Sequence, residues 1–196
     1  MPPAQKTGKD EIINAAFAIA KEEGFCNLNA RAIAKKLGIS TQPIFSNFKN
    51  MEDLKMEIVK KASSFYFAML EDEENSGKYP PYKARGMGYI RFAKEEKNLF
   101  RLLFMDKRSP DMRFPTDDAS KEIGLISNSL SFAEDKASKM HTLLWFFVHG
   151  IASLIVTESL EISEEDISAA LTDTYLGLKS RFSDELAAGL ENLHIG

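Results

Sequence analysis

The sequence predicts an all-α protein of about nine helices, with a small three-helix head followed by a larger helical domain. Three observations lead there. Apolar residues recur at three- and four-residue spacing along nearly the whole chain. No run alternates with a period of two between turn residues. Ser, Asn, Gly and Pro stand where the periodic stretches begin and end. A length of 196 residues allows one large domain or a small one joined to a larger one. With 44% hydrophobic and 28% charged residues, the composition is that of a globular chain, which excludes wholesale disorder.

The first helix reads as Lys9–Glu23, with Ile12, Ile13, Ala16, Phe17 and Ala20 on one face and Gly24 as its stop. Asn29 caps a short helix carrying Ile33, Ala34 and Leu37, which ends at Gly38. Ser40 is placed as the cap of a third helix running to about Asn47, and Asn50 as the cap of a long one toward Glu74. In each case a short polar side chain can accept from orphan N–H groups of the first turn. Gly77 and two prolines interrupt the chain over 75–81. Helices are then expected at about 82–94, 96–105, 117–132, 134–158 and 163–190, with a loop over 106–115. Ser163 and Asp166 have the spacing of a capping box with Asp in place of Glu. The domain boundary is placed at residue 50, giving domains 1–50 and 51–196.

The sharpest local pattern is Ala34-x3-Gly38-x5-Ile44, the spacing of a helix-turn-helix. Ala34 is small where two helices cross, Gly38 can adopt the left-handed turn, and Ile44 packs inward against Ile33, Ala34 and Leu37. The second helix would then enter a DNA major groove. Its outward residues would be Ser40, Thr41, Gln42, Pro43, Ser46 and Asn47. Gln42 can pair with an adenine edge, and Thr41 and Pro43 can touch a thymine methyl. Ser40, Ser46, Asn47, Lys49 and the start of the Asn29 helix, with Arg31 on it, suit phosphates. Pro43, counted from Ser40 as cap, falls at the third helical position, where it has no intrahelical bond to lose. Charge agrees in sign: residues 1–62 carry 10 basic and 7 acidic side chains, whereas the whole chain is at −4.

Residues 29–54 (NARAIAKKLGISTQPIFSNFKNMEDL) resemble the DNA-binding segment of TetR/AcrR-type transcriptional regulators through Ile33, Ala34, Gly38, Ser40, Phe48, Glu52 and Leu54. The helix ending in Glu23-Gly24-Phe25 fits the same pattern. Further on, the run from Trp145 through His149-Gly150 to Leu154 resembles a Trp…His-Gly motif of one subgroup, and 98–104 (NLFRLLF) a second segment of it. The resemblance implies a dimer with two recognition heads, and a small ligand in the larger domain that changes their spacing. Departures are Asn29 for Thr, Gln42 for Gly, Phe45 for Tyr, Asn47 for His and Met51 for Lys. Phe45 loses a phenolic phosphate contact while its ring packing can stay, so Phe45 remains among the candidate DNA-contacting residues. Lys49 can replace the missing cation at Met51.

In the larger domain, Phe65, Met69, Met87, Phe104 and Trp145 are candidate walls of an apolar ligand pocket, with plain core as the alternative. Arg91 can orient an anionic ligand or be a surface charge. His149 either closes the pocket or bonds across helices. Gly150 is expected to permit close helix approach. The run 142–156 is apolar on all sides but only about 15 residues long, short of the roughly 20 a membrane span needs. A helix apolar all round needs cover on every face. A homodimer seam is therefore expected at Phe147, Ile151, Leu154, Tyr175, Leu178 and Phe182.

One Cys and three dispersed His exclude a cysteine-built zinc site, and no metal or cofactor is expected. Cys26 reads as small filler. Glu191-x-x-His194 occurs once, where a di-iron site needs two copies. Gly86-x-Gly88-x-x-Arg91 has neither a third Gly nor a preceding strand, so it is no dinucleotide loop. The polar N-terminus lacks an apolar signal region, so a cytoplasmic location is expected, with no membrane partner. The sequence thus points to a ligand-responsive regulator, more a repressor than an activator, with double-stranded operator DNA, a second copy and a small effector as partners. The alternative is a helical small-molecule binding or scaffolding protein without DNA reading.

Overall fold

The computed structural model describes residues 7–107 and 114–187. Part of the expected 106–115 loop, the chain beyond Ala187 and the Glu191…His194 pair lie outside the described residues. Among those described there are nine α-helices and no strand. They are α1 Lys9–Glu23, α2 Ala30–Leu37, α3 Gln42–Asn47, α4 Met51–Asn75, α5 Pro81–Glu95, α6 Lys97–Phe100, α7 Ser120–Leu130, α8 Glu134–Val156 and α9 Glu164–Ala187. Short 3-10 turns cover Phe25–Asn27 and Pro115–Asp117.

Three of the expected caps, Asn29, Asn50 and Ser163, bond the first turn of their helices. Asn50 Oδ1 accepts from the Asp53 N–H at 2.9 Å, which starts α4. Ser163 Oγ accepts from the Asp166 N–H at 3.1 Å and donates to the Asp166 carboxylate at 2.7 Å, so the two side chains hold each other at the start of α9. The single helix expected over 96–105 is α6 followed by a π-helical turn, Arg101–Met105, whose end is marked by Asp106 N–H bonding to Arg101 O at 2.8 Å. Apolar spacing does not separate i+4 from i+5 bonding.

The chain forms two compact units. One holds the described residues up to Ala68 together with Glu95–Asp117, and the other Met69–Lys94 with the described residues from Asp118 onward. The division between the units falls within α4, between Ala68 and Met69, and not at the turn that separates α3 from α4. In the first unit α1 packs against α2, α3 and α6. Its core is made of Ile12, Ala16, Ile19, Ile33, Ile44, Leu54, Ile58, Leu99, Phe100 and Leu103, each under 2% exposed. Asn98 Nδ2 bonds the Lys21 carbonyl at 2.9 Å, and Lys21 Nζ bonds Glu96 at 2.6 Å, tying the end of α1 to the start of α6.

The second unit has α7 and α9 packed on α8. Ile126, Phe132, Ala137, Met140, Leu144 and Phe182 form its buried cluster. At Gly88 a Cβ would lie 3.0 Å from Leu70 Cδ2 and 3.3 Å from Leu70 Cα, so α5 and α4 approach more closely there than a side chain allows. Arg85, 6% exposed, is clamped between Glu74 and Glu122, and Lys121 reaches Glu74 at 2.7 Å.

Candidate nucleic-acid interface

The head is built from local chemistry. Asn29 is the N-cap of α2, accepting from the Ala32 N–H at 3.0 Å. Its Nδ2 donates to Asn27 O at 3.0 Å, which fixes the amide. Gly38 ends α2 in the left-handed region, φ 67° and ψ 31°. Ile39 N–H bonds Ala34 O at 3.0 Å and Gly38 N–H bonds Lys35 O at 3.3 Å, the paired bonds of a Schellman end. Ile33 and Ile44 are fully buried and Ala34 nearly so, as the spacing requires. α1 forms the third wall.

One cap is corrected. Ser40 does not cap α3: Thr41 flanks it, in a right-handed helical conformation and with no side-chain bond to the first turn. Ile44 and Phe45 N–H groups both turn back to Thr41 O. Pro43 consequently stands at the second helical position, and its missing N–H still leaves no intrahelical bond unmade. The tight turn after Gly38 leaves Ser40 outside the helix.

The structure places the candidate DNA-contacting residues on one short segment. Asn29, Arg31, Ser40, Gln42, Ser46, Asn47 and Lys49 are exposed, and Thr41 and Pro43 are half-buried. Ser46 Oγ donates to Gln42 O at 3.0 Å and Asn47 Nδ2 to Pro43 O at 2.8 Å, so both polar groups are turned onto their own helix. Phe45 departs from expectation: its ring is not packed but 53% exposed. Phe48, three residues on, takes the inward position at 5% exposure, under the Lys9 ammonium. Cys26 is exposed, so it does not fill the core. Lys36 is paired with Glu22 at 3.0 Å.

The expected ligand-site residues divide between the units. In the first unit Phe65 meets Phe17 edge-on at 6.3 Å, beneath the Lys21 ammonium, and Phe104 meets Phe100 and Tyr66 at 5.0 and 5.3 Å. In the second, Met69 and Met87 are buried. Arg91 is half-buried and paired: it bonds Glu73 at 2.9 Å and Met69 O at 3.3 Å. Trp145 stacks on His149, with centroids 5.0 Å apart and planes at 21°, while Tyr89 Oη lies 2.8 Å from His149 Nδ1. Burial pushes the His149 imidazole below its ordinary pKa, so its neutral form is favoured and the tyrosine hydroxyl can donate to it. Sequence reasoning missed Glu73, Tyr89 and Arg85; Glu73 is one residue of an acidic run, and nothing in that run marks which member turns inward.

The expected seam divides by helical phase. Ile151 and Phe182 face inward and are buried in their own unit, and Tyr175 and Leu178 lean on that unit's cluster. Phe147 is half-buried and Leu154 is 46% exposed. The outer apolar face of α8 adds Leu143 and Phe146, and α9 adds Leu176. Gly150 has open space around the position of a Cβ, so it makes no close approach within the chain. α8 spans 23 residues, ending two short of the expected 134–158, and by length and composition alone it could cross a membrane, a test that the core helix of a soluble protein also passes.

The comparisons with known proteins settle the family. Residues 12–58 match the model of the bacterial regulatory proteins of the tetR family, and residues 82–176 match that of the tetracyclin repressor-like C-terminal domain. The chain belongs to the tetR family. A relative in Haemophilus influenzae, an uncharacterised HTH-type transcriptional regulator, is 21% identical over 154 residues, covering 74% of this chain and 73% of that one. Among solved structures, the multidrug binding protein EbrR complexed with imidazole is 15% identical with a TM-score of 0.55, over 84% of this chain and 93% of that one. A transcriptional regulator from Rhodococcus sp. Rha1 is 18% identical with a TM-score of 0.53, over 89% and 97%. Both share the fold. The tetR-family head is thus the α1–α3 unit whose geometry is given above.

Proposed function

We propose that this tetR-family regulator is a homodimeric, cytoplasmic repressor, not an enzyme, released from a near-palindromic operator by a small molecule. The observation that carries the reading is the α2–α3 unit: a Schellman turn at Gly38, Ile33 and Ile44 both fully buried, and Gln42 exposed at the start of the second helix. Two such heads about 34–36 Å apart would enter successive major grooves. Gln42 would read a base edge, and Asn29, Arg31, Ser40 and Lys49 would hold phosphates. The outer face of α8 with Leu176 of α9 is the seam this reading uses, because it is apolar and exposed in the single chain.

The effector would lie in the larger domain, where the stacked Trp145 and His149 offer an aromatic surface and the buried Tyr89 bonds His149. The Trp…His-Gly subgroup motif supplies two of those residues. Arg91, already paired with Glu73, would orient a polar group more than it would neutralise an anion. The multidrug-binding neighbour supports a ligand-holding role for this fold. Ligand preference for a state with the wrong head spacing, by roughly 1–3 kcal/mol, would release DNA.

The test is selection of duplexes from a random pool, followed by titration of Gln42→Ala and Lys49→Ala across a salt series. On this reading the first variant relaxes sequence preference, and the second weakens all duplexes and lowers the salt slope by about two, about one for each head. Unchanged binding in both would show that α3 is not the reading helix.

A further inference from the structure

Phe45 sits on α3 with its ring 53% exposed, between Gln42 and Lys49. A phenyl ring left in water on a six-residue helix contributes nothing to the core, and Phe48 already fills the inward position. Its neighbours toward the helix end, Ser46 and Asn47, have their polar groups bonded back to Gln42 O and Pro43 O. On the outward face of α3 the Gln42 amide and the Phe45 side chain are exposed, while the donors of Ser46 and Asn47 are spent on their own helix. The same head carries exposed cations, Arg31 and Lys35 on α2 and Lys49 just beyond α3. That charge suits a phosphate backbone.

We propose that Phe45 reads thymine, by packing its ring against a thymine 5-methyl group in the major groove, and so sets operator sequence beside Gln42. The proposal rests on the DNA-reading function of the head. The chemistry allows few alternatives. Phenylalanine has no donor or acceptor for a base edge or a phosphate. Of the groups that distinguish base pairs in the major groove, the thymine methyl is the one that is apolar. Burying one methyl-sized group is worth roughly fourfold in affinity.

The experiment begins with a duplex selected by the wild-type protein from a random pool. Each thymine of that duplex is replaced singly by deoxyuridine, which removes the methyl and leaves every hydrogen-bonding group. Wild type, Phe45→Ala and Phe45→Tyr are titrated against the set at two salt concentrations, and a thermal melt confirms that each variant is folded. At one thymine per half-site, wild type should lose about fourfold on demethylation, and Phe45→Ala should lose nothing further there. The salt slope should be the same for wild type and Phe45→Ala, because the ring displaces no counterion.

Equal sensitivity of wild type and Phe45→Ala to every demethylation overturns the proposal. So does a Phe45→Ala loss that is uniform across all duplexes, since it places the ring on the sugar–phosphate backbone. If the pool yields no preferred duplex at all, the DNA-reading function itself fails and the proposal with it, an outcome distinct from the other two.

Discussion

Replacing Gly38 by Ala isolates one physical term. A Cβ at this position meets no atom within 4 Å, so no clash contributes. What remains is φ at +67°, a conformation that costs an L-residue roughly 1–2 kcal/mol. For a chain of this size that corresponds to a midpoint shift of about 2–8 °C. Asn, which tolerates the left-handed region through local hydrogen bonding, should lose less than Ala. Gly124 on α7 is the control. Its Cβ position is equally open, but no left-handed φ is present, so Ala there should stabilise by about 0.8–1 kcal/mol through helix propensity. The same substitution in equally open surroundings should thus have opposite signs at the two sites. Chemical denaturation followed by circular dichroism reads both. A Gly38→Ala protein as stable as wild type, or two shifts of the same sign, would refute the reasoning that the α2–α3 turn depends on backbone conformation alone.

Three other outcomes follow from the geometry. Arg85→Met should destabilise the protein by about 3 kcal/mol in a denaturant titration, because it leaves the Glu122 carboxylate covered without its cation while Glu74 keeps Lys121; a loss under 1 kcal/mol would mean the cluster is solvated. Gly150→Leu should leave the fold intact, since the site is open within the chain, but shift sedimentation from dimer toward monomer if the outer face of α8 is the seam; an unchanged dimer would move the seam elsewhere. Burial holds the His141 and His149 imidazoles below their ordinary pKa, so between pH 7 and 5.5 the unfolded chain takes up more protons than the folded one, and stability should fall as pH falls. His141→Gln should flatten that fall, and a slope identical to wild type would rule His141 out as a source.

The head was legible in the sequence because its constraints are local. Gly38, Asn29 and Asn50 each act within a few residues of themselves, and the burial of Ile33 and Ile44 follows from the spacing around one turn. Ser40 misled because Ser and Thr are adjacent and both are capable caps; which one flanks the helix depends on how tightly the chain leaves Gly38, a backbone matter that residue type does not encode. For Phe45 only the packing of the ring was misjudged: the inward position goes to Phe48, which leaves Phe45 exposed among the candidate DNA-contacting residues. The larger domain was legible as helices but not as faces. In a run as uniformly apolar as 142–156, hydrophobicity carries no phase, so Ile151 and Leu154 read alike although one is buried and the other exposed. Polar partnerships across helices, Arg91 with Glu73 and Tyr89 with His149, join residues 18 and 60 positions apart, a distance over which single-sequence spacing carries no signal.

The central claim is that the head reads a particular DNA sequence. The most direct test is titration of the purified protein into a labelled fragment from upstream of its own gene, beside a scrambled fragment, at two salt concentrations. The account predicts tight, salt-sensitive preference for the native fragment, weakened in sequence discrimination by Gln42→Ala. Equal and weak binding to both fragments, together with no duplex enriched from a random pool, would contradict it.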